Sequence, residues 1–274
     1  MSTRVRPAAV AGVFYPEKPS ALEECVRKLL ESAGRSPSPA PKAIIVPHAG
    51  YIYSGPIAAS IYAPLRRQRD TIRRVVLVGP SHRVAFDGLA LPRCLAFDTP
   101  LGEVPVDQAA IATLADLPQV KFNDAAHAEE HSLEVQLPFL IEIFERFSLI
   151  PLTVGRATVT EVGEVLERIW GGDDTLIVIS SDLSHYLPYD DAWALDGQTA
   201  QSIMAMETTI NHQQACGATP VNGLLAVARR RQLHAHMVDL RNSGDTAGEK
   251  SRVVGYGAFA FFETPPEPLN NADE

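Results

Sequence analysis

Three histidines of this chain follow short apolar segments. His48 ends the segment AIIVPH, His82 lies in VVLVGPSHR, and His185 lies in LIVISSDLSHY. Neutral imidazole is a common ligand for iron, copper and zinc. Because functional side chains of open α/β sheets gather beyond the carboxyl ends of the strands, this repeated placement predicts one site built from three distant segments.

His48 and His82 are the two predicted metal ligands. Each follows its apolar segment almost immediately, among Gly, Pro and Ser residues that allow a sharp turn. Either histidine taken alone is more often a loop residue that hydrogen-bonds the backbone. Their parallel placement favours a shared site, and two histidines with one carboxylate are typical of non-haem Fe(II) sites.

The third segment, ISSDLSHY, places Asp182 and His185 three residues apart. A carboxylate and an imidazole at this spacing suit a proton shuttle, so both are predicted as catalytic residues beside the metal. The alternative is that Asp182 caps the following turn while His185 faces solvent.

The segment AAHAEEHSLEVQLP carries His127 and His131 four residues apart, with Glu130 and Glu134 beside them. It lacks the His-Glu-x-x-His order of zinc proteases, and glutamates at a helix start commonly match the helix dipole. His131 is predicted as a catalytic pocket residue, at even odds with a structural role. His127 is predicted to be structural or exposed.

The loop LRNSGDTAGEK could supply the missing carboxylate through Asp245 or Glu249. Asp245 is the predicted third ligand, with Glu249 or no carboxylate as alternatives. An aspartate in an SGD turn commonly just forms an Asx-turn. His212, His234 and His236 have no partner residues nearby in the sequence and are predicted to be structural.

Three aromatic residues lie close to the first histidine segment or near the amino terminus. Tyr51, Tyr53 and Phe14 could form the walls of a substrate pocket, although each could equally belong to the core.

The composition excludes several classes of protein. Acidic residues outnumber basic ones by 33 to 24 in 274 residues, which disfavours a nucleic-acid partner. The three cysteines, Cys25, Cys94 and Cys216, are far apart, so neither a disulfide framework nor a zinc ribbon is indicated. The sequence shows no pattern of a signal peptide or a membrane span. We therefore expect a soluble, cytoplasmic protein.

Apolar clusters alternate with helical patterns along the chain. The predicted strands lie near residues 43–47, 75–79, 149–154, 175–180 and 252–262. The predicted helices begin near Ser20, Gly55, Val106, His131, Val159, Asp190 and Val221, with a kink or a start near Pro138. This alternation predicts an α/β fold in which helices cover both faces of a sheet. We expect one domain over 1–264 and a mobile acidic tail over 265–274.

Eight motifs in order along the chain resemble the Memo family, which is related in fold to class III extradiol ring-cleaving dioxygenases. They are RPAAVAGVFYP (6–16), VPHAGYIYSG (46–55), GPSHR (79–83), TPLGEVPVD (99–107), EEHSLEVQLPFL (129–140), SSDLSHY (180–186), CGATP (216–220) and SGDTAGEKSRVVGY (243–256). The resemblance implies a three-layer αβα sandwich of the LigB-like dioxygenase type, with a central mixed, largely parallel sheet and an interior metal-capable pocket.

The resemblance also implies functional residues. His48 and His82 match the two histidine ligands of the family, and Asp182 and His185 match its pocket pair. Animal members place a cysteine as the third ligand, whereas this chain has no cysteine after Cys216 and offers Asp245 close to that position.

The expected function is that of a mononuclear Fe(II) protein, with copper or zinc as alternatives. If it is an enzyme, it would be a dioxygenase-like oxidoreductase that acts on a small catechol-like or enolic substrate. One alternative is a non-catalytic module that binds a peptide or small ligand in the same pocket, and another is a zinc-assisted hydrolase. Microbial family members often accompany a radical-SAM protein and an AMMECR1-like protein, which are the expected protein partners.

Overall fold

The computed structural model describes residues 4–33 and 40–265, so all but the first residue of the predicted tail lies outside it. The described strands are β1 (Val5–Arg6), β2 (Ala43–Val46), β3 (Arg74–Pro80), β4 (Leu89–Leu91), β5 (Ala96–Phe97), β6 (Val104–Pro105), β7 (Val120–Phe122), β8 (Ser148–Val154), β9 (Thr175–Ser180), β10 (His185–Leu187), β11 (His234–Asn242) and β12 (Val253–Phe262). The described α-helices are α1 (Pro19–Ser32), α2 (Tyr51–Tyr62), α3 (Gln108–Ala112), α4 (Asp124–Ala128), α5 (His131–Glu134), α6 (Leu137–Ile143), α7 (Val159–Arg168), α8 (Tyr189–Met204) and α9 (Ala218–Arg230). Two 3-10 helices cover Ala63–Gln68 and Ser243–Asp245.

A large mixed sheet forms the centre of the molecule. Its strands run in the order β10-β12-β2-β9-β3-β8-β4-β7, and β11 pairs with β12. The four central strands, β2, β9, β3 and β8, are mutually parallel. Strand β12 is antiparallel to β2, and β4 is antiparallel to β8. The expected largely parallel sheet is therefore found only at the centre, and antiparallel pairs extend it on both sides.

The central strands are buried except at the first residues of β3 and β8. Every residue of β2 and β9 is buried, and since successive side chains of a strand point to opposite faces, both faces of the sheet must be covered. Helix α2 packs against β2, β11 and β12, whereas α9 packs against β3 and β9 and also contacts α7. These contacts confirm an α/β fold with a large central sheet and packed helices.

Two helix boundaries affect the site. The helical pattern that begins at His131 is divided near Pro138, as expected, because α5 ends at Glu134 and α6 begins at Leu137 with Pro138 in its first turn. Proline suits that position because the first helical N–H groups have no intrahelical partner. Helix α2 begins at Tyr51 rather than near Gly55, which buries the Tyr51 ring.

A second, three-stranded sheet has the order β1-β5-β6 and holds the amino-terminal segment in place. Within the ranges that are described, no helix combines the length and the apolar character needed to cross a membrane.

Candidate metal centre

Three neighbouring parallel strands deliver the first residues of the site. Strand β9 lies between β2 and β3, so the carboxyl ends of all three meet at one edge of the sheet. His48, His82 and Asp182 each lie two residues beyond the end of their strand. The fold therefore brings the three distant segments together at this edge of the sheet, as predicted.

The site contains a third imidazole, that of His131, the first residue of α5. One ring nitrogen from each of His48, His82 and His131 lies within 4.8 Å of the other two. The ring centroids are 5.2 Å apart for His48 and His82, 5.4 Å for His48 and His131, and 4.5 Å for His82 and His131. We call these three residues the histidine cluster.

The environment of His48 and His131 favours neutral imidazole. Burial lowers the pKa of His48 well below its ordinary value, and burial lowers the pKa of His131 to about 4. The buried Nδ1 of His131 has no hydrogen-bond partner among the described residues, although it lies 3.4 Å from Glu130 Oε1. Neutral imidazoles with an unsatisfied buried nitrogen fit a transition metal, since metal binding requires the deprotonated ligand.

Glu130 orients His82. The His82 ring Nδ1 donates to Glu130 Oε1 at 2.8 Å, and the His82 backbone N–H donates to Oε2 at 2.6 Å. Burial by itself would raise the pKa of Glu130, but hydrogen bonds from His82 hold it at about 2. Because a carboxylate can only accept, His82 carries its proton on Nδ1 and keeps a lone pair on Nε2.

His48 is held by the segment that follows β9. Its backbone N–H donates to Asp182 Oδ1 at 2.7 Å, and its ring Nδ1 lies 2.9 Å from Ser180 Oγ. Its other ring nitrogen, Nε2, lies 4.0 Å from Asp182 Oδ2 and 3.2 Å from Cys216 Sγ. Burial raises the pKa of Asp182 to about 6.

His185 lies beside the histidine cluster rather than in it. Its Nδ1 is 2.9 Å from the carbonyl oxygen of Leu183, which can only accept, so the proton is on Nδ1 and the Nε2 lone pair is free. Its side chain is exposed, and in its protonated form it lowers the pKa values of both His48 and Asp182. The structure thus brings the predicted catalytic pair close to the cluster, and their roles stay predictions.

A cavity of about 600 Å³ adjoins the cluster. Its walls include His82, Cys216, His212 and Thr219. His212, which was predicted to be structural, lies in this wall, where its ring nitrogens are 3.3 Å from Cys216 O and 3.3 Å from Thr219 Oγ1. The cavity gives a small molecule access to one edge of the histidine cluster.

Asp245 is placed differently from the prediction. Its Oδ1 accepts from the Tyr189 hydroxyl at 2.6 Å, and its Oδ2 accepts from the Asn242 backbone N–H at 2.9 Å. It therefore completes the capping box of the 3-10 helix Ser243–Asp245, whereas the Asx-turn of this loop is formed by Asn242, whose side chain accepts from Gly244 N. Neither Asp245 nor Glu249 belongs to the group of mutually close metal-binding atoms, and His131 occupies the third position instead.

The predicted aromatic walls are also differently placed. Tyr51 belongs to the core, where its hydroxyl donates to Val135 O at 2.7 Å and its ring lies 5.0 Å from that of Phe139. Tyr53 is about one-third exposed. The Phe14 ring contacts the His131 ring at 4.7 Å. These three side chains do not line the 600 Å³ cavity.

Two further residues of the same region hold the fold together. Glu134, fully buried, forms an ion pair with Arg6 and accepts hydrogen bonds from Ala9 N, Val10 N and the Tyr15 hydroxyl at 2.6–2.9 Å. This network fixes the amino-terminal segment that carries Phe14. His127 has the predicted structural role, since its buried Nε2 donates to Ala90 O at 2.9 Å.

Comparison with known proteins places the chain in a family. A profile described as "Memo-like protein" matches residues 6–260, a range that includes the whole histidine cluster. The chain belongs to the Memo family. A MEMO1 family protein of Aquifex aeolicus is 35% identical over 272 residues, which cover 94% of this chain and 99% of the relative. One of Ignicoccus hospitalis is 36% identical over 286 residues, which cover 94% and 98%.

This Memo-family chain also resembles a solved structure with a different sequence. An uncharacterized protein from Escherichia coli K12 matches with a TM-score of 0.53 and 14% identity over 78% of this chain and 98% of that protein. At that identity the likeness concerns the fold alone.

Proposed function

We propose that this Memo-family chain is a mononuclear transition-metal protein with dioxygenase-like oxidoreductase activity toward a small catechol-like or enolic substrate. The observation that carries the proposal is the histidine cluster, in which three imidazoles offer ligand atoms within 4.8 Å of one another. His48, His82 and His131 would hold the metal. Iron is the proposed metal, and copper and zinc also suit imidazole ligands.

The surroundings of the cluster support this proposal. An Fe(II) ion that keeps open coordination positions supplies sites for substrate and O₂. The adjoining cavity, with His82 in its wall, admits a small molecule. The free Nε2 of His185 is available to accept the proton of a phenolic or enolic hydroxyl, and the buried Asp182 lies three residues before it in the chain.

The finer expectations from the sequence belong to the proposal too. They are a three-layer LigB-like arrangement, one domain over 1–264, a cytoplasmic location, and partnership with an AMMECR1-like or a radical-SAM protein. The central mixed sheet and the helices packed against it support the layered α/β part of the first of these.

Zinc-assisted hydrolysis is a second candidate because of the ligand type. Catalytic zinc is commonly held by three protein ligands and a water, and three histidines are one such set. His185 and Asp182 would then serve as the base that activates water. A binding module without catalysis is the third candidate, which would use the cavity to hold a peptide or small ligand.

The deciding experiment is metal analysis of protein purified without oxygen, followed by oxygen uptake with catechol and substituted catechols. We expect one iron per chain and oxygen uptake that depends on it. His48→Ala, His82→Ala and His131→Ala should each abolish metal retention, whereas His234→Ala, at an exposed position of β11, should not. Bound zinc with esterase or amidase activity would favour the hydrolase. Tight ligand binding that persists after chelation, without turnover, would favour the binding module.

A further inference from the structure

A chain of buried polar side chains lies behind His48. Tyr62, Gln136 and Ser180 are each fully buried. The Tyr62 hydroxyl contacts Gln136 Oε1 at 2.9 Å, Gln136 Nε2 contacts Ser180 Oγ at 2.8 Å, and Ser180 Oγ contacts His48 Nδ1 at 2.9 Å. Two backbone carbonyl oxygens beside this series, those of Pro47 and Ser132, allow hydrogen-bond donors and acceptors to be assigned along its whole length.

The orientation of the Gln136 amide follows from Pro47. The carbonyl oxygen of Pro47 lies 2.9 Å from Gln136 Nε2 and can only accept a hydrogen bond. The NH₂ group must therefore face Pro47, which leaves Oε1 to accept from the Tyr62 hydroxyl. The two amide protons are then both used, one on Pro47 O and the other on Ser180 Oγ.

The single proton of the Ser180 hydroxyl is also accounted for. Ser180 Oγ lies 2.6 Å from the carbonyl oxygen of Ser132, which again can only accept. The hydroxyl must donate there, since a lone pair facing a carbonyl oxygen at that distance would be repulsive. Ser180 therefore accepts at its two remaining contacts, with Gln136 and with His48.

We infer that Ser180 is a positioning residue that fixes the tautomer of His48, with the proton on Nδ1 and the lone pair on Nε2. The Nε2 atom is the nitrogen that the Cys216 Sγ approaches to 3.2 Å. With a lone pair on Nε2, the Cys216 thiol is the donor in that contact. If His48 held a metal through Nε2, the same lone pair would be used and the thiol hydrogen bond would be lost. This last consequence rests on the proposed function, whereas the tautomer itself does not.

Removal of the Ser180 hydroxyl should release this constraint. In Ser180→Ala, the Nδ1 proton of His48 loses its acceptor inside a fully buried site, so the Nε2–H tautomer becomes competitive. The fraction of protein with a lone pair on Nε2 falls, and so does the affinity for metal. Loss of a partner that orients a metal-binding histidine typically weakens metal affinity by about 10- to 100-fold.

The test is nitrogen-15 NMR of histidine-labelled protein without metal, combined with Zn²⁺ titration. Wild-type His48 should show Nδ1 protonated and Nε2 unprotonated, a measurement that requires no variant. Ser180→Ala should shift His48 toward the Nε2–H tautomer and weaken Zn²⁺ binding, and Ser180→Thr, which keeps a hydroxyl, should restore both. Ser184→Ala is the matched control, because this buried serine hydroxyl has no hydrogen-bond partner among the described residues.

The outcomes separate this inference from the proposed function. A proton on Nε2 in wild-type His48 overturns the inference. So does an unchanged tautomer in a folded Ser180→Ala variant. If His48 has the expected tautomer but no metal binds, the positioning role of Ser180 stands and the proposed metal function fails.

Discussion

The backbone N–H of His48 donates to the Asp182 carboxylate at 2.7 Å, which ties together the loops that follow two neighbouring strands of the sheet. The donor and the acceptor are both buried. The carboxylate thus has a structural role at the site in addition to the catalytic role proposed for it.

A comparison of Asp182→Ala with Asp182→Asn should separate the structural role from the charge. The alanine variant leaves the buried His48 N–H without an acceptor, so we expect its free energy of unfolding to fall by about 1–3 kcal/mol. The asparagine variant retains an acceptor oxygen and should lose less than half as much. Urea denaturation of the metal-free proteins measures both, and equal losses in the two variants would contradict the role given to this hydrogen bond.

Glu130→Gln should weaken metal binding without removing a ligand. The carboxylate of Glu130 accepts from the His82 ring and from the His82 backbone, and an amide cannot accept at both of its ends. We expect Zn²⁺ affinity to fall by about 10- to 100-fold in a calorimetric titration. Glu129→Gln, one residue earlier and exposed, is the matched control and should bind like the wild type.

The identity of the third metal ligand can be tested with two separate variants, one at His131 and one at Asp245. His131→Gln should lose most of its metal affinity, because His131 belongs to the histidine cluster. Asp245→Asn should retain wild-type affinity, because that carboxylate caps a 3-10 helix. Metal content after dialysis distinguishes the two variants, and retention in the first with loss in the second would restore Asp245 as the ligand.

The buried ion pair between Arg6 and Glu134 should contribute strongly to stability. Glu134→Gln leaves the buried guanidinium without its counter-charge, and disruption of such a pair typically costs about 3–5 kcal/mol. Glu24→Gln, which removes an exposed ion pair with Lys28, should change the free energy of unfolding far less than Glu134→Gln does. Denaturant unfolding of the two variants provides the comparison, and similar small effects would show that the buried pair is dispensable.

His127 should make the protein sensitive to acid. Burial lowers its pKa to about 4 from an ordinary 6.5, so between these pH values the unfolded chain binds a proton that the folded chain does not. Stability is therefore lost as the pH falls from 6.5 toward 4, by about 3 kcal/mol for this residue. The difference in free energy of unfolding between wild type and His127→Gln should change by that amount over this range. A difference that is independent of pH would show that the residue is not buried in its neutral form.

The sequence predicted the parts of the site that depend on strand ends. His48, His82 and Asp182 follow apolar segments directly, and parallel strands bring their carboxyl ends to one edge. His131 was recognised only as a pocket candidate, because a histidine at the start of a short helix shows no such regularity. The ligand role of Asp245 stays a prediction, because a carboxylate in an SGD turn has the same sequence whether it caps a helix or binds a metal.

Other parts of the site could not be read from the sequence. The roles of Glu130 and Gln136 depend on hydrogen bonds to His82 and Ser180, which are 48 and 44 positions away in the chain, respectively. Glutamate is also common at helix starts, so Glu130 did not stand out in the sequence. Cys216 appeared as an isolated cysteine, and its contact with His48 depends on how the segment before α9 is folded against β9. The Tyr51 ring was misplaced because α2 begins four residues earlier than the apolar pattern suggested.

The ion pair between Arg6 and Glu134 has an evolutionary consequence. Each side chain is buried against the other, so replacement of one alone leaves a charge without its partner in the interior. An apolar residue at position 134 would also leave the Ala9 N–H, the Val10 N–H and the Tyr15 hydroxyl without an acceptor. Natural variants of this protein should accordingly keep both residues or replace them together by another hydrogen-bonding pair. Residue 134 lies three positions after His131, so such paired substitutions would also change the support behind the histidine cluster.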